Sequence, residues 1–482
     1  MNILSIFVGV IFFLNILLAI IVIFLERRDP SATWAWILVL FFIPVLGFIM
    51  YLLFGQNLSR KKMFYWEDRD KVGIEPLIKE QMTQLNQKSF PFENSTEEKS
   101  QDLIHMHLIN NAAMFSQHNE IRIFTDGKEK FTSLFHDIEN ARDHIHLQYY
   151  IIKNDELGRR LMTVLAQKAR SGVKVRVLYD ELGSRSLRKS FFKELRQAGG
   201  EVEAFFPSKL PLINLRLNYR NHRKLAIIDG DIGYVGGFNV GDEYLGLNKR
   251  FGYWRDTHIR IVGQAVHPIQ TRFILDWNQA SYRHDINYSP RYFQQPRNSG
   301  SVGLQIVTSG PDSEWEQIKN GYIKMISLAK ETIVIQTPYF IPDSSLLDAL
   351  KIASLCGVDV KIMIPNKPDH MFVYWATYFY IGEMLKAGAK IYIYEKGFIH
   401  SKSIVVDNEI ASVGTANIDV RSFRLNFEVN AFIYNKEFSK ELTDQFSHDM
   451  KSSTELTLES YMTRSVKIRL KESVSRLLSP IL

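Results

Sequence analysis

Apolar positions are bunched at the front of the chain and periodic elsewhere. Ile3 to Leu25 carries no charge and is interrupted only by Ser5, Gly9 and Asn15; a second uncharged run extends from Ser31 to Phe54. Either run is long enough to cross a hydrocarbon core of about 30 Å as a helix. The stretch "ERRDP" between them leaves room only for a tight loop, so residues 1–56 are expected to form a transmembrane helical hairpin with spans at about 3–25 and 32–54. A cleaved signal peptide is the rival for the first run. It lacks a basic start and a small-x-small cleavage site, and the second run would still anchor the product. Trp34, Trp36, Tyr51 and Tyr65 fall near the expected interfaces.

The pattern then changes. Residues 57–117 are mostly polar and read as a connector with some helix. From near Ile121 onward, "IHLQYYI" and "VKVRVLYDE" have strand character, and between them Leu157 to Ala169 recurs at helical spacing until Ser171-Gly172 stops it. The same order returns at "IVIQTPYFI", Ser345 to Leu355 and "VDVKIMIP", with Gln148 matching Gln336 and Gly172-Val173 matching Gly357-Val358. Such a repeat predicts a duplication, each half an α/β unit with a mixed or parallel sheet covered by helices. The halves are placed at 118–290 and 301–482, with the Pro-, Asn-, Gln- and Ser-rich stretch from Tyr288 to Gly300 as the seam.

Composition supports this division. A chain of 482 residues exceeds the usual single core, and 46% hydrophobic with 23% charged residues is globular in kind. The formal net charge of +7 suits a phosphate-bearing partner, nucleic acid or an anionic lipid surface, and the apolar front favours lipid. Arg60, Lys61, Lys62, Arg69 and Lys71 after the second run outnumber Arg27 and Arg28 in the loop, which puts the body on the cytoplasmic side. The single cysteine, Cys356, forbids an internal disulfide, and its apolar setting "IASLCGVDV" predicts a packed core residue.

Chemistry enters with "NHRKLAIIDG". His222 and Lys224 stand two apart at the leading end of an apolar run, so on a strand they project from one face. Taken alone, this is a strand with a wet edge. The second half repeats it: "IHSKSIVVDN" places His400, Lys402 and Asp407 at the intervals of His222, Lys224 and Asp229, and Asn239 and Asn417 each follow their histidine by seventeen residues. Two imidazoles and two lysines suit a phosphodiester. One neutral imidazole attacks phosphorus, a protonated one serves the departing alkoxide, and ammonium groups hold the non-bridging oxygens. The scheme requires no metal and no cofactor. Asp229 and Asp407 close the apolar runs at "DG" and "DN", so their expected work is to fix the turn behind each His-Lys strand. His105 with His107, and His144 with His146, lack carboxylate or Cys partners at ligand spacing and read as structural.

The doubled H-x-K-x-x-x-x-D motif, with Asn239 and Asn417 downstream, resembles the phospholipase D superfamily, and the anchor "ERRDPSATWAWILVLFFIPVLGF" with the order of everything after it is similar to bacterial cardiolipin synthases. The resemblance implies two duplicated phospholipase D-like α/β/α sandwich halves with mixed sheets, meeting so that both motifs share one active site. It implies that two phosphatidylglycerols are joined into cardiolipin with release of glycerol, in a bacterial cell membrane. The catalytic set would be His222, Lys224, Asp229, His400, Lys402 and Asp407, with His222 forming a phosphatidyl-histidine and His400 acting as acid and then base. Asn239 and Asn417 would sit beside the phosphate. A carboxylate stands behind each histidine in this family, and Asp256 and Glu428 are the candidates, with surface salt bridges as the alternative. Arg220, with Arg216 and Arg223, would draw anionic head groups, or else form a solvated basic face.

The rivals keep the mechanism and change the substrate: a phospholipase, another phosphatidyltransferase, or a nuclease, which the anchor disfavours. A membrane-anchored phosphate-binding scaffold is the non-enzymatic reading, although binding alone would not need two imidazoles. A homo-oligomer is compatible with all of these. The C-terminal "MTRSVKIRLKESVSRLLSPIL" alternates basic and apolar residues, which fits either a membrane surface or packing on the body.

Overall fold

The computed structural model describes residues 3–24, 30–43, 46–47, 50–51, 75–207, 218–281, 285–287, 289–294 and 300–480. They fall into two compact units, residues 1–65 with 207–219, and 66–206 with 220–482.

In the first unit, Ile3–Phe24 forms a 22-residue helix and Pro30–Phe42 a 13-residue one. They pack together, and Asn15, the one amide in the first helix, spends its Nδ2 on the Leu40 carbonyl at 3.1 Å. The second helix runs unbroken only over Pro30–Phe42, shorter than the expected span; a bend follows at Ile43, and the described residues 46–47 and 50–51 are again helical. Among the described residues no helix is long and apolar enough to cross a membrane. The hairpin loop lies outside them.

The second unit carries the duplication. Its first eight strands are β1 Ser116–Asp126, β2 His144–Tyr149, β3 Lys174–Asp180, β4 Glu201–Phe205, β5 Arg220–Asn221, β6 Leu225–Ile228, β7 Ile232–Gly236 and β8 Tyr253–Val262. β2, β3 and β4 run parallel, whereas β2–β6–β7–β8–β1 is antiparallel throughout. The second set is β9 Val302–Ser309, β10 Thr332–Gln336, β11 Phe340–Ile341, β12 Asp359–Pro365, β13 Lys390–Tyr394, β14 Gly397–Ile399, β15 Ser403–Val406, β16 Ile410–Gly414, β17 Ile418–Asp419, β18 Asn426–Tyr434 and β19 Ser453–Leu456. Here β10, β12 and β13 are parallel and β10–β15–β16–β18–β9 antiparallel, the same order again. An antiparallel β1–β9 contact joins the two mixed sheets edge to edge.

Local signals agree between the halves. Asp155 caps the helix Glu156–Arg170 and Asp343 caps Ser344–Leu355, each by accepting a backbone N–H of the first turn. Gly172 and Gly357, both at φ +93°, let the chain leave those helices left-handed. One apolar core, including Leu147, Leu161, Val177 and Ile228, lies under the first sheet; another, including Ile335, Leu350, Ile362 and Ile404, lies under the second.

The segment expected as a connector is built differently. From residue 75 it forms the helices Glu75–Asn86, Ser95–Lys99 and Gln101–Asn111, and Leu85, Leu103, Ile104 and Leu108 enter the core of the second half. Its polar composition hid the amphipathic stripes. Cys356 is also displaced from expectation: it is exposed at the C-cap of the helix Ser344–Leu355, to one side of the face that buries Leu346, Leu350 and Ala353.

Candidate active site

Each His-Lys pair stands at the end of a short strand whose other end is tied down by its aspartate. Asp229 sits left-handed at φ 54°, after the buried run Leu225–Ile228, and its carboxylate accepts the backbone N–H groups of Arg142, Asp143 and His144 at 2.8, 2.8 and 2.9 Å. Asp407, at φ 52°, takes those of Lys330, Glu331 and Thr332 at 2.8, 2.9 and 2.8 Å. Asp tolerates this conformation better than most residues. The two aspartates therefore anchor the turns against the start of β2 and β10 and lie at the far ends of the strands from the histidines.

The working ends are joined across the halves. β5 pairs in parallel with β18 through Arg220↔Asn426 and Asn221↔Phe427, and His222 N–H continues the ladder onto the Phe427 carbonyl at 2.9 Å. The next residue of β18, Glu428, thereby reaches His222, with Nδ1 to Oε2 at 3.0 Å. The mirror arrangement holds β14 against β8: Ile399↔Arg255, then His400 N–H on the Arg255 carbonyl at 2.7 Å, then His400 Nδ1 to Asp256 Oδ2 at 2.6 Å. Glu428 and Asp256 are wholly buried, so neither is a surface salt bridge. Each half supplies the carboxylate behind the other half's histidine.

The two carboxylates are supported unequally. Thr415 Oγ1 donates to Glu428 Oε2 at 2.6 Å, and Asn426 Nδ2 to Oε1 at 3.2 Å. At the matching place in the first half stands Gly237, where a Cβ would lie 1.9 Å from Asp256 Oδ1. Only a bare backbone admits that carboxylate. Asp256 Oδ1 instead accepts the Thr257 N–H at 2.8 Å.

Burial and charge set the protonation states. His222 is pushed down to about 4 by burial, against the pull of Glu428 and helped by Lys224 and Lys402. His400 is lowered for the same reasons, with Asp256 opposing. Burial alone would raise both carboxylates, but each is held below its ordinary value, Glu428 by His222 and Lys224, Asp256 by Lys402 and His400. Burial also brings Lys224 down to about 7 and Lys402 to about 8. Both lysine charges bear on both histidines, and both carboxylates bear on both lysines, so the two motifs share one electrostatic centre. Lys224 Nζ donates to the His222 carbonyl at 2.6 Å and Lys402 Nζ to that of His400. With Nδ1 of each neutral imidazole donating to a carboxylate, Nε2 keeps its lone pair.

Buried ion pairs support the strands. Arg223 donates from Nη1 to both oxygens of Asp276 at 2.7 Å and from Nε to the Glu428 carbonyl at 3.1 Å. It is 1% exposed, so it braces the centre and is not available to a head group. In the second half Ser401 stands at that position, and the guanidinium comes from the neighbouring strand: Arg255 Nε donates to Asp449 Oδ2 at 2.9 Å. Gln148 binds Asp276 at 2.7 Å and Gln336 binds Asp449 at 2.8 Å, which gives the matched glutamines of the repeat a shared purpose.

Asn239 accepts the Ile151 N–H and donates to Tyr244 Oη, while Asn417 is buried with an Oδ1 that has no protein partner. Arg220 is half-buried and lies in the field of Asp180, Arg421 and Tyr150. Arg216 lies outside the described residues. Tyr150 packs edge-on against His222 at 4.9 Å, and Trp254 lies tilted against His400 at 5.2 Å. No sequence spacing announced these two rings, Thr415, or the Asp276 and Asp449 pairs, since all arrive through tertiary contact.

The other histidines have structural surroundings. His144 contacts Asp143 at 2.7 Å and Gln270 at 3.2 Å, and His107, tilted against the Phe432 ring, is driven down to about 3 by burial. Among the described residues no group of three His, Cys, Asp or Glu side chains is placed to hold a metal ion.

Comparison with known proteins places the chain in a family. A family profile described as "Cardiolipin synthase, PLD-like domain" matches residues 134–277 and 322–450, and one described as "Phospholipase_D-nuclease N-terminal" matches 13–56. The chain is 69% identical, over 482 residues and the whole of both proteins, to the major cardiolipin synthase ClsA of Bacillus subtilis. It is 60% identical over the same span to a cardiolipin synthase of Listeria monocytogenes serotype 4a. Phosphatidylserine synthase of Haemophilus influenzae shares the fold at a TM-score of 0.60 and 16% identity, covering 81% of this chain and all of that one. Matched in both halves and along its full length, the chain belongs to the bacterial cardiolipin synthases of the phospholipase D superfamily.

Proposed function

We propose that the centre transfers a phosphatidyl group from one phosphatidylglycerol to the terminal hydroxyl of another. His222 Nε2 attacks phosphorus, the bond from phosphorus to the glycerol oxygen breaks, and His400 gives that oxygen a proton. Phosphatidyl-His222 and free glycerol result. His400, now neutral, takes the proton of the incoming hydroxyl, whose oxygen displaces His222 and closes cardiolipin. Lys224 and Lys402 hold the non-bridging oxygens, where charge grows in each transition state. An anionic phosphodiester beside the imidazoles raises their proton affinity, so one of two similar histidines can enter the cycle protonated.

The observation that carries this reading is the exchange of carboxylates: His222 on Glu428 and His400 on Asp256, inside a field of two lysines. The low value of His222, about 4, supports its role as the free base that attacks. Asp229 and Asp407 act as the mounts of the motif. On this reading Arg220 draws the anionic head group, and Asn417 Oδ1, which has no protein partner, accepts from a substrate hydroxyl.

The partner on this reading is phospholipid, not nucleic acid, and the apolar helices Ile3–Phe24 and Pro30–Phe42 anchor the chain in the cell membrane as a two-helix hairpin with the body in the cytoplasm. The full chain in phosphatidylglycerol vesicles, without nucleotide or added metal, should produce equal amounts of cardiolipin and glycerol. Phosphatidate as the main product would make it a hydrolase, and a strict need for a cytidine nucleotide would overturn the mechanism.

A further inference from the structure

The helix Val466–Leu477 is packed inside out. Its inward side holds Glu472 and Ser475, both buried, with Ile468 half-buried between them, so the one apolar residue it turns inward is set against four turned outward. Arg464 clamps Glu472 through Nε at 2.8 and 2.9 Å and Nη2 at 2.7 Å, and lies over the Tyr461 ring at 3.4 Å. The outward side holds Val466, Leu470, Val474 and Leu477, exposed at 79%, 64%, 49% and 73%. At 3.6 residues per turn these four share an arc of about 80°. A helix on a water-facing surface places its apolar stripe toward the core, the reverse of what is seen here.

Charge is arranged around the stripe. Lys467 and Lys471 border it on one side, Arg469 and Arg476 on the other, and the helix's one acid, Glu472, is turned inward. Lys471 Nζ lies 5.1 Å over Trp375 and the Arg476 guanidinium 4.7 Å over Phe379, both on the neighbouring helix Met371–Lys386. These stacked cations fix the helix about its axis, so the stripe stays outward. Met462, 50% exposed, continues the apolar surface just before the helix.

We propose that this face docks on the anionic surface of a phospholipid bilayer, with the four apolar side chains among the acyl chains and the four cations at the phosphates. The charges choose this occupant. A second copy meeting the same face by two-fold symmetry would oppose cation to cation, and a zwitterionic surface would leave four positive charges without a counterpart. An apolar stripe with basic flanks is the pattern of a helix lying in the membrane interface. The contact uses none of the residues that carry the chemistry at His222 and His400, and would hold the body on a surface rich in anionic lipid.

The test uses the full chain with Cys356→Ser and Leu470→Cys, an environment-sensitive fluorophore on the new thiol, and vesicles carrying spin-labelled lipid. In phosphatidylglycerol vesicles the emission should shift to the blue and lose more than half its intensity to a quencher near the headgroup end of the acyl chain. Phosphatidylcholine vesicles should give a several-fold smaller loss. Changing Lys467, Arg469, Lys471 and Arg476 to Gln should bring the first result down to the second. A water-like label in phosphatidylglycerol, on protein with an unchanged circular dichroism spectrum, overturns the proposal. So does a blue shift that ignores the lipid quencher and grows with protein density, which would mean a second copy covers the stripe. Neither readout depends on turnover.

Discussion

His400 Nδ1 lies 2.6 Å from Asp256 Oδ2, yet the two residues are 144 positions apart and belong to opposite halves of the duplication. A neutral amide at 256 could still accept the Nδ1 hydrogen but could not balance an imidazolium. Asp256→Asn should therefore lower kcat by about 10²–10⁴-fold, the range of a lost acid–base function. Vesicle turnover under saturating lipid measures it, and a variant within threefold of the parent would remove Asp256 from the mechanism.

Gly237→Ala should copy that defect from outside the motif. The added methyl would meet Asp256 Oδ1 at 1.9 Å and displace the carboxylate from His400. Turnover should fall at least tenfold while the protein still folds. The variant Thr415→Val makes the converse change on the other side, removing a donor to Glu428, and should impair His222 more mildly.

The histidines can be told apart by trapping. With phosphatidylglycerol labelled at the phosphate that is transferred, acid-labile label should map to the peptide containing His222. Label on the His400 peptide would exchange the two roles. Either His→Ala change alone should abolish activity by several orders of magnitude, because the pair works as a unit.

Lysine ionisation sets the alkaline limb of the pH profile. An ammonium must be charged to hold phosphate, and Lys224 and Lys402 fall to about 7 and about 8. Each is protonated below its value and loses charge as pH rises through it, so kcat/KM should decline from about pH 7 upward. Bound phosphodiester raises both values, and kcat should hold to higher pH. A kcat/KM that stays flat to pH 9.5 would contradict the buried placement of these ammonium groups.

Asp229→Ala should behave as a stability variant. Three backbone N–H groups lose their acceptor, a cost of about 1–3 kcal/mol by the usual worth of such bonds. The midpoint of thermal unfolding should drop, whereas turnover per folded molecule should stay within a few-fold. Asp276→Asn should cost more, about 3–5 kcal/mol, since it strands the buried guanidinium of Arg223.

The histidine–lysine strands were legible because their evidence is local: a period-2 pair ahead of an apolar run, repeated at fixed spacing. The partnership of each carboxylate was not, since Glu428 meets His222 only through the β5–β18 pairing across 206 residues, and no periodicity encodes which strands of two halves adjoin. Arg223 looked like a head-group ligand for a related reason. Its sequence neighbours are cationic, but its depth depends on Asp276, far along the chain. Leu85, Leu103 and Leu108 show the opposite difficulty, where a polar segment average concealed a few apolar positions that two helices turn into one core.

The crossed carboxylates also bear on ancestry. A single ancestral half with this strand arrangement would have carried a histidine without its acid, and could complete a centre only by pairing with a copy of itself, both centres' partners then being identical by symmetry. Covalent duplication frees the copies to differ. Glu428 with Thr415 on one side, and Asp256 with Gly237 on the other, are a difference that no symmetric pair of identical chains could hold, and a reaction needing one attacking and one proton-carrying histidine is the kind that gains from it.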